Sequence, residues 1–174
     1  LFRVPVLGSL LRSPGMIPVA RSSSASAAKQ TIAQAEELAE HGRGVIVYPE
    51  GSLTRDPDLW PMRGKTGAVR LAIEGNIPVI PMATWGVQKI LPRYGKLSLF
   101  PPRKRVQVSV GPAVDLDAYR SRGVGNANLV AATDAVMADI AGLLSGLRGE
   151  PAPAERWNPA MHGQNETGRL DSEK

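Results

Sequence analysis

The residues best suited to chemistry follow a short apolar run. Val45-Ile46-Val47-Tyr48 stops at Pro49, then come Glu50, Gly51 and Ser52, then Arg55, and then Arg63-Gly64-Lys65. A carboxylate, a close-approach glycine, a hydroxyl and several cations in one stretch suit a phosphate or another oxyanion held at the end of a sheet. Arginine offers a planar fork that matches two phosphate oxygens, and lysine offers a point charge. Gly51 lets the backbone come near, and Ser52 adds a hydroxyl donor. Lys65 and Thr66 fall at the expected start of a helix, where unpaired N–H groups favour an anion. Glu50 cannot face a phosphate dianion favourably. It orients Arg55 or Lys65, or accepts from a substrate hydroxyl.

These residues need elements to hold them. Residues 1–11 are apolar, with Leu7, Leu10 and Leu11 at helical spacing. Residues 16–19 form a short extended piece that leads to Arg21. Residues 22–26 are serine-rich and suit a helix entry, and Ala28, Ile32, Ala35 and Leu38 mark an apolar stripe running on to His41. Gly42 and Gly44 end that helix. The run 45–48 reads as a strand covered on both faces. Residues 65–74 read as a helix with Ala68, Val69, Ala72 and Ile73 inward and Gly75 as its stop. Residues 77–82 read as another buried strand, whose prolines call for irregular pairing or an edge position. Val106, Val108 and Val110 alternate as in a half-buried strand. Leu129, Val136, Ile140, Leu143 and Leu147 define a long amphipathic helix over about 128–147. The order helix–strand–helix–strand predicts an α/β fold with a mixed, mainly parallel sheet and helices on both faces. Ligands in such sheets bind beyond the carboxyl ends of the strands, where Pro49-Glu50-Gly51-Ser52 falls.

Bulk composition bounds the rest. The chain has 174 residues, 43% of them hydrophobic but only 5% aromatic, so its core is aliphatic. Without cysteine there is no disulfide framework, thiolate metal site or cysteine nucleophile; a reducing, intracellular compartment fits. The formal net charge is +5, and the acidic tail from residue 149 contributes −2 of it, which leaves +7 on residues 1–148. That excess favours phosphorylated metabolites, acidic lipid headgroups or nucleic acid. Nucleic acid lacks support from any interleaved aromatics or reading motif. No apolar run reaches the roughly 18 residues of a spanning helix, and no signal peptide is visible. Residues 1–148 form one domain, and residues 149–174, rich in Pro, Ala, Glu, Asn and Gly, read as a disordered tail.

Taken as an ordered set, these segments resemble the glycerophospholipid acyltransferase family, which includes the 1-acylglycerol-3-phosphate acyltransferases. That family's aromatic-Pro-Glu-Gly-Thr/Ser motif is matched by Tyr48-Pro49-Glu50-Gly51-Ser52. Its preceding motif, ending in arginine, is similar to Gly15-Met16-Ile17-Pro18-Val19-Ala20-Arg21. Lys65-Thr66-Gly67-Ala68 and Ile77-Pro78-Val79-Ile80-Pro81 match two later segments, so the resemblance covers about residues 1–114.

It implies a glycerol-3-phosphate acyltransferase-like fold and transfer of a fatty acyl group from acyl-CoA or acyl carrier protein to the free hydroxyl of 1-acylglycerol-3-phosphate (lysophosphatidate). Neither a metal nor a bound cofactor is implied. It also implies work at a membrane surface, peripherally on the cytoplasmic face of the cell membrane. Arg21 and Lys65 would bind the acceptor phosphate, Gly51 and Ser52 would shape the pocket, and Glu50 and Arg55 would orient it. Arg55 departs from the pattern, since Leu53 and Thr54 separate it from the motif.

The family's general base is a His followed five positions later by an Asp. Here His41 is followed at that distance by Ile46, and His162 by Thr167, so no catalytic residue is assigned. The opening residues read as mid-domain, and the chain is expected to be a fragment whose His/Asp motif lies upstream. The alternative is a non-catalytic module that binds anionic lipid or a phosphometabolite. Arg103-Lys104-Arg105 is either a solvated loop or a contact for acidic headgroups or a carrier's phosphate. Trp60 and Trp85 suit core or rim packing better than membrane anchoring.

Overall fold

The computed structural model describes residues 41–166. The chain divides into two units, 1–46 and 47–174. The expected elements before residue 41, with Arg21 among them, lie outside the described residues. Every helix and strand among the described residues belongs to the second unit.

Its elements run α1 (Gly67–Glu74), β1 (Met82–Trp85), a 3-10 turn (Val87–Lys89), β2 (Gln107–Val110), α2 (Asp117–Arg120), α3 (Asn126–Arg148) and a second 3-10 turn (Pro159–His162). Helix α1 buries Val69, Ala72 and Ile73, three of the four positions its periodicity marks. It stops at Gly75, whose N–H donates to the Leu71 carbonyl at 2.9 Å. Helix α3 extends one to two residues beyond the predicted limits. It closes on Gly149 at φ 73, with the Gly149 N–H on the Ser145 carbonyl, the left-handed stop that glycine takes without cost.

The predicted parallel sheet is not shown among the described residues. The sheet there has two strands, paired antiparallel with Met82 opposite Val110 and Thr84 opposite Val108; no parallel pairing is seen. Residues 45–48 form no strand, and Ile46 and Tyr48 are 73% and 80% exposed. An apolar run becomes a strand only when a neighbour takes its backbone groups; here Tyr48 instead opens a turn, its carbonyl accepting from Gly51 N at 3.0 Å. The run 77–82 is mostly irregular, as its prolines require. Past the end of β1, pairing continues through the carbonyls of Pro81 and Val79, which accept from Gly111 N and Val114 N at 2.9 Å.

In β2 the alternation is present but faces the other way. Val106, Val108 and Val110 are exposed, and Gln107 and Ser109 are half-buried. The cause lies beneath the hairpin. Ala83, opposite Ser109, is buried in a cluster with Trp60 and Leu144 of α3, and small residues on that face let the helix approach. A strand's period fixes which residues share a face but not which face is covered.

The core has two parts. One joins Val69, Ala72 and Ile73 of α1 to Leu129, Ala132 and Val136 of α3 and to Leu116. The other joins Trp60, Ala83 and Leu144, and its edge is closed by Arg148, whose guanidinium lies 4.1 Å from the Trp60 ring and 4.4 Å from the Trp85 ring. By length and composition α3 is apolar enough to cross a membrane, the one such helix among the described residues. Seven of its 23 residues are nonetheless buried within the unit and pack in its core.

Residues 150–166 depart from the disordered tail that composition predicts. Asn158 caps the last 3-10 turn through Ala160 N, Trp157 stacks on His162 with ring centroids 3.6 Å apart, and Pro159 is buried. Arg156 pairs with Asp134 of α3 at 2.7 Å.

Candidate anion site

Two short segments are tied side by side. The turn at 48–51 presents Glu50, whose Oε2 accepts from Met62 N at 2.8 Å, and Lys65 N donates to the Pro49 carbonyl at 2.8 Å. Gly51 sits at φ 70, a conformation open to glycine and strained for most other residues. A β-carbon there would lie 3.4 Å from Lys65 Cδ, so the Lys65 side chain passes directly over it.

Gly64 has a different constraint. An added β-carbon would meet Thr133 Cγ2 at 2.8 Å and Met137 Cγ at 2.9 Å. The segment between Arg63 and Lys65 therefore lies flush on α3, and the two cations are held on one side of it. A cavity of about 310 Å³ opens there, lined by Glu50, Arg63, Lys65 and Thr66, by Val130, Thr133 and Asp134 of α3, and by Pro159 and Glu166 of the tail.

Glu166 occupies the cationic wall. Its Oε1 lies 3.2 Å from Arg63 Nη2 and its Oε2 lies 3.7 Å from Lys65 Nζ, while its backbone carbonyl accepts from Ser52 Oγ at 3.1 Å. All three side chains are about half exposed, so these ion pairs are screened and weak. Glu50 has a different environment. Burial, aided by nearby Asp56 and opposed by the Met62 N–H, pushes its carboxyl from the ordinary 4.5 up to about 7. Near neutrality about half of it is protonated, which reduces the repulsion a carboxylate would offer to a bound oxyanion.

Of the six binding residues predicted from sequence, Glu50 and Lys65 line the cavity, and Gly51 and Ser52 stand beside it, Gly51 under the Lys65 side chain and Ser52 on the Glu166 carbonyl. Arg55 does not line the cavity. It is 1% exposed, with its backbone N–H on Met62 Sδ at 3.0 Å, and lies in the interior. Arg21 lies outside the described residues. Sequence reasoning missed Arg63 as a binding residue, although it stands two positions before Lys65. It also missed Glu166, which lies about a hundred positions from its partners and has no local signal. Neither histidine lines the cavity, and among the described residues no cluster of His, Asp or Glu is arranged to hold a metal ion.

Comparison with known proteins gives a consistent picture. The acyltransferase family model matches residues 1–85, which include both segments of the cationic wall. The chain is 32% identical over 92 residues to the chloroplastic 1-acyl-sn-glycerol-3-phosphate acyltransferase BAT2 of Brassica napus, covering 53% of this chain and 26% of that protein. It is 33% identical over 82 residues to a 1-acyl-sn-glycerol-3-phosphate acyltransferase of Limnanthes douglasii, covering 47% and 28%. It is 30% identical over 128 residues to that of Pseudomonas aeruginosa, covering 74% and 48%. The chain thus matches between about a quarter and a half of the length of these relatives. No solved structure matches it.

Proposed function

The chain belongs to the acyltransferase family whose matched members are 1-acyl-sn-glycerol-3-phosphate acyltransferases, and from that premise we propose that the cavity beside Glu50 binds the phosphate of a lysophosphatidate acceptor. The whole protein would then pass a fatty acyl group from a thioester, acyl-CoA or acyl carrier protein, to that acceptor's hydroxyl. One observation carries the reading: two oxygens of a single carboxylate, that of Glu166, already rest on Arg63 and Lys65 at the cavity wall. A phosphate offers the same oxygens with more charge and meets the same two cations and the Ser52 hydroxyl, displacing a weakly held side chain. The protonated fraction of Glu50 opposes a bound phosphate less than a carboxylate would, and its O–H can donate to a substrate oxygen. Arg21, as the resemblance implies, would join from the preceding motif. The protein would work peripherally, at the cytoplasmic face of the membrane that holds its lipid substrate.

The cavity contains no histidine, so these residues bind and orient, and the base that takes the hydroxyl proton comes from elsewhere in the protein. That same observation favours the second reading, a module that binds anionic lipid without transfer. Steady-state kinetics of the complete gene product, with an acyl thioester and lysophosphatidate, separate the two. Lys65→Ala and Arg63→Ala are expected to raise the acceptor KM about tenfold or more, as losing a charged hydrogen bond would, with a smaller change in kcat. Glu166→Gln should lower it. Unchanged KM in both cation variants would remove the site, and binding of lysophosphatidate with no acyl transfer would establish the second reading.

A further inference from the structure

Residues 86–106, between β1 and β2, form an excursion with a pinched base. Gly86 stands at φ 103, and a β-carbon on it would lie 2.2 Å from the Arg105 carbonyl oxygen, so the two ends of the loop touch. Inside, Lys104 Nζ donates to the carbonyls of Lys89 and Ser98 and to Ser98 Oγ, and Ser98 N donates to the Ile90 carbonyl at 2.7 Å. Arg93 Nη1 donates to the Thr54 and Asp56 carbonyls at 2.7 and 3.2 Å and ties the loop to the body of the unit.

A loop fastened in this way would ordinarily turn its large apolar side chains inward. Here Leu91, Leu97, Leu99 and Phe100 are 54%, 61%, 70% and 84% exposed. From Gly75 to Val114 the sequence has six Lys or Arg and no Asp or Glu. Arg93 and Lys104 serve backbone carbonyls; Lys89, Lys96, Arg103 and Arg105 are exposed. Exposed aliphatic side chains among exposed cations, without a compensating acid, mark a surface that meets something both apolar and negative. A nucleic acid would call for aromatic platforms, and this surface is mostly aliphatic. Anionic lipid supplies both features at once.

We propose that the 86–106 excursion is the surface on which the protein rests on an anionic bilayer. Leu97, Leu99 and Phe100 enter the boundary between headgroups and acyl chains, and the four exposed cations meet lipid phosphates. The proposal rests on the acyltransferase reading only in giving its membrane placement specific residues.

Co-sedimentation of the full chain with vesicles tests it. Vesicles of phosphatidylcholine containing phosphatidylglycerol should bind the protein, and pure phosphatidylcholine should bind it at least about tenfold less, with the difference shrinking as salt rises. Leu97→Ser/Leu99→Ser/Phe100→Ser should weaken binding to the anionic vesicles about tenfold or more, and Lys96→Gln/Arg103→Gln/Arg105→Gln should do the same. Each altered side chain is exposed, and thermal melts that match the parent chain verify folding. If the apolar triple variant melts early, the single Phe100→Ser replaces it.

Parent-like binding by the variants, equal binding to both vesicle types, or no vesicle binding at all would each overturn the proposal. So would tighter binding to an RNA oligonucleotide or a polyglutamate peptide than to anionic vesicles, which would give the surface to another partner. In the complete gene product the surface variants should keep parent-like kcat/KM on a short-chain, water-soluble lysophosphatidate. Failure to use that acceptor while vesicle binding behaves as stated would sink the acyl-transfer reading and leave this surface standing.

Discussion

Glu50 shows how a residue's meaning depends on what surrounds it. In the sequence it is a carboxylate among cations and presents a difficulty for any anion site. In the structure, burial raises its pKa to about 7, and near neutrality the difficulty is reduced. The same shift predicts a pH effect on stability. Below the unfolded value of 4.5 both states hold the proton and the group costs nothing. As pH rises from there through about 7, the unfolded chain releases its proton first, so the folded state loses stability, by at most about 3 kcal/mol. Glu50→Gln should therefore melt higher than the parent chain at about pH 8 and no higher at about pH 4, as read by thermal melts across that range. Gln keeps an oxygen for the Met62 N–H, so a uniform loss at all pH values would instead show a purely structural role. None of this was legible from residue order, because the order shows neighbours in the chain and not what excludes water.

At the scale of elements, spacing predicted two of the three helices among the described residues, while the parallel sheet it predicted is not shown there. Helix periodicity is set within the element, and so α1 appears with its buried face where the apolar stripe puts it. In α3, by contrast, Leu129 and Val136 of the predicted stripe are buried, Ile140, Leu143 and Leu147 are half-buried, and Ala132, Thr133, Met137, Ala141 and Leu144 complete the inward face. Strands are defined by partners. Residues 45–48 have the composition of a strand and no described partner, and β2 has its expected alternation with the valines turned outward, because α3 covers the face that carries Ala83 and Ser109. The residues of the candidate site were legible for a similar reason. Glu50, Gly51, Ser52 and Lys65 lie close in sequence and are drawn together by two local hydrogen bonds. Arg55 shares their stretch but is carried into the interior by the 54–60 turn, where Asp56 Oδ1 accepts from Asp58 N and Trp60 N. The contact of Gly64 with α3 makes a prediction at this scale. Gly64→Ala should cost about 1–3 kcal/mol in denaturant unfolding, as overpacking against the Thr133 and Met137 side chains does, and should displace Lys65 from the wall. A neutral result would mean that Thr133 and Met137 yield freely.

At the scale of the molecule, the segment after α3 lines the candidate site, whose other wall lies about a hundred residues earlier. Composition classed it as tail because hydropathy counts residues and misses single anchors, here the Trp157–His162 stack, buried Pro159 and the Arg156–Asp134 pair. Anchoring and covering are separable tasks. Truncation before Arg156 should lower unfolding stability by about 1–2 kcal/mol through lost burial and pairing, whereas Glu166→Gln should change it by no more than about 0.5 kcal/mol, since its ion pairs are exposed. Equal effects of the two would mean that the tail acts as a single unit.

Helix α3 combines a length and apolarity fit for a bilayer with a place in the core. Its burial in protein is therefore conditional on its companions: once α1 and the hairpin let go, a 23-residue greasy helix stands free and, on the proposed membrane placement, beside lipid. Misfolding at the membrane would then have a sink as well as a cost, since a chain that opens there can bury α3 in hydrocarbon and have little drive to return.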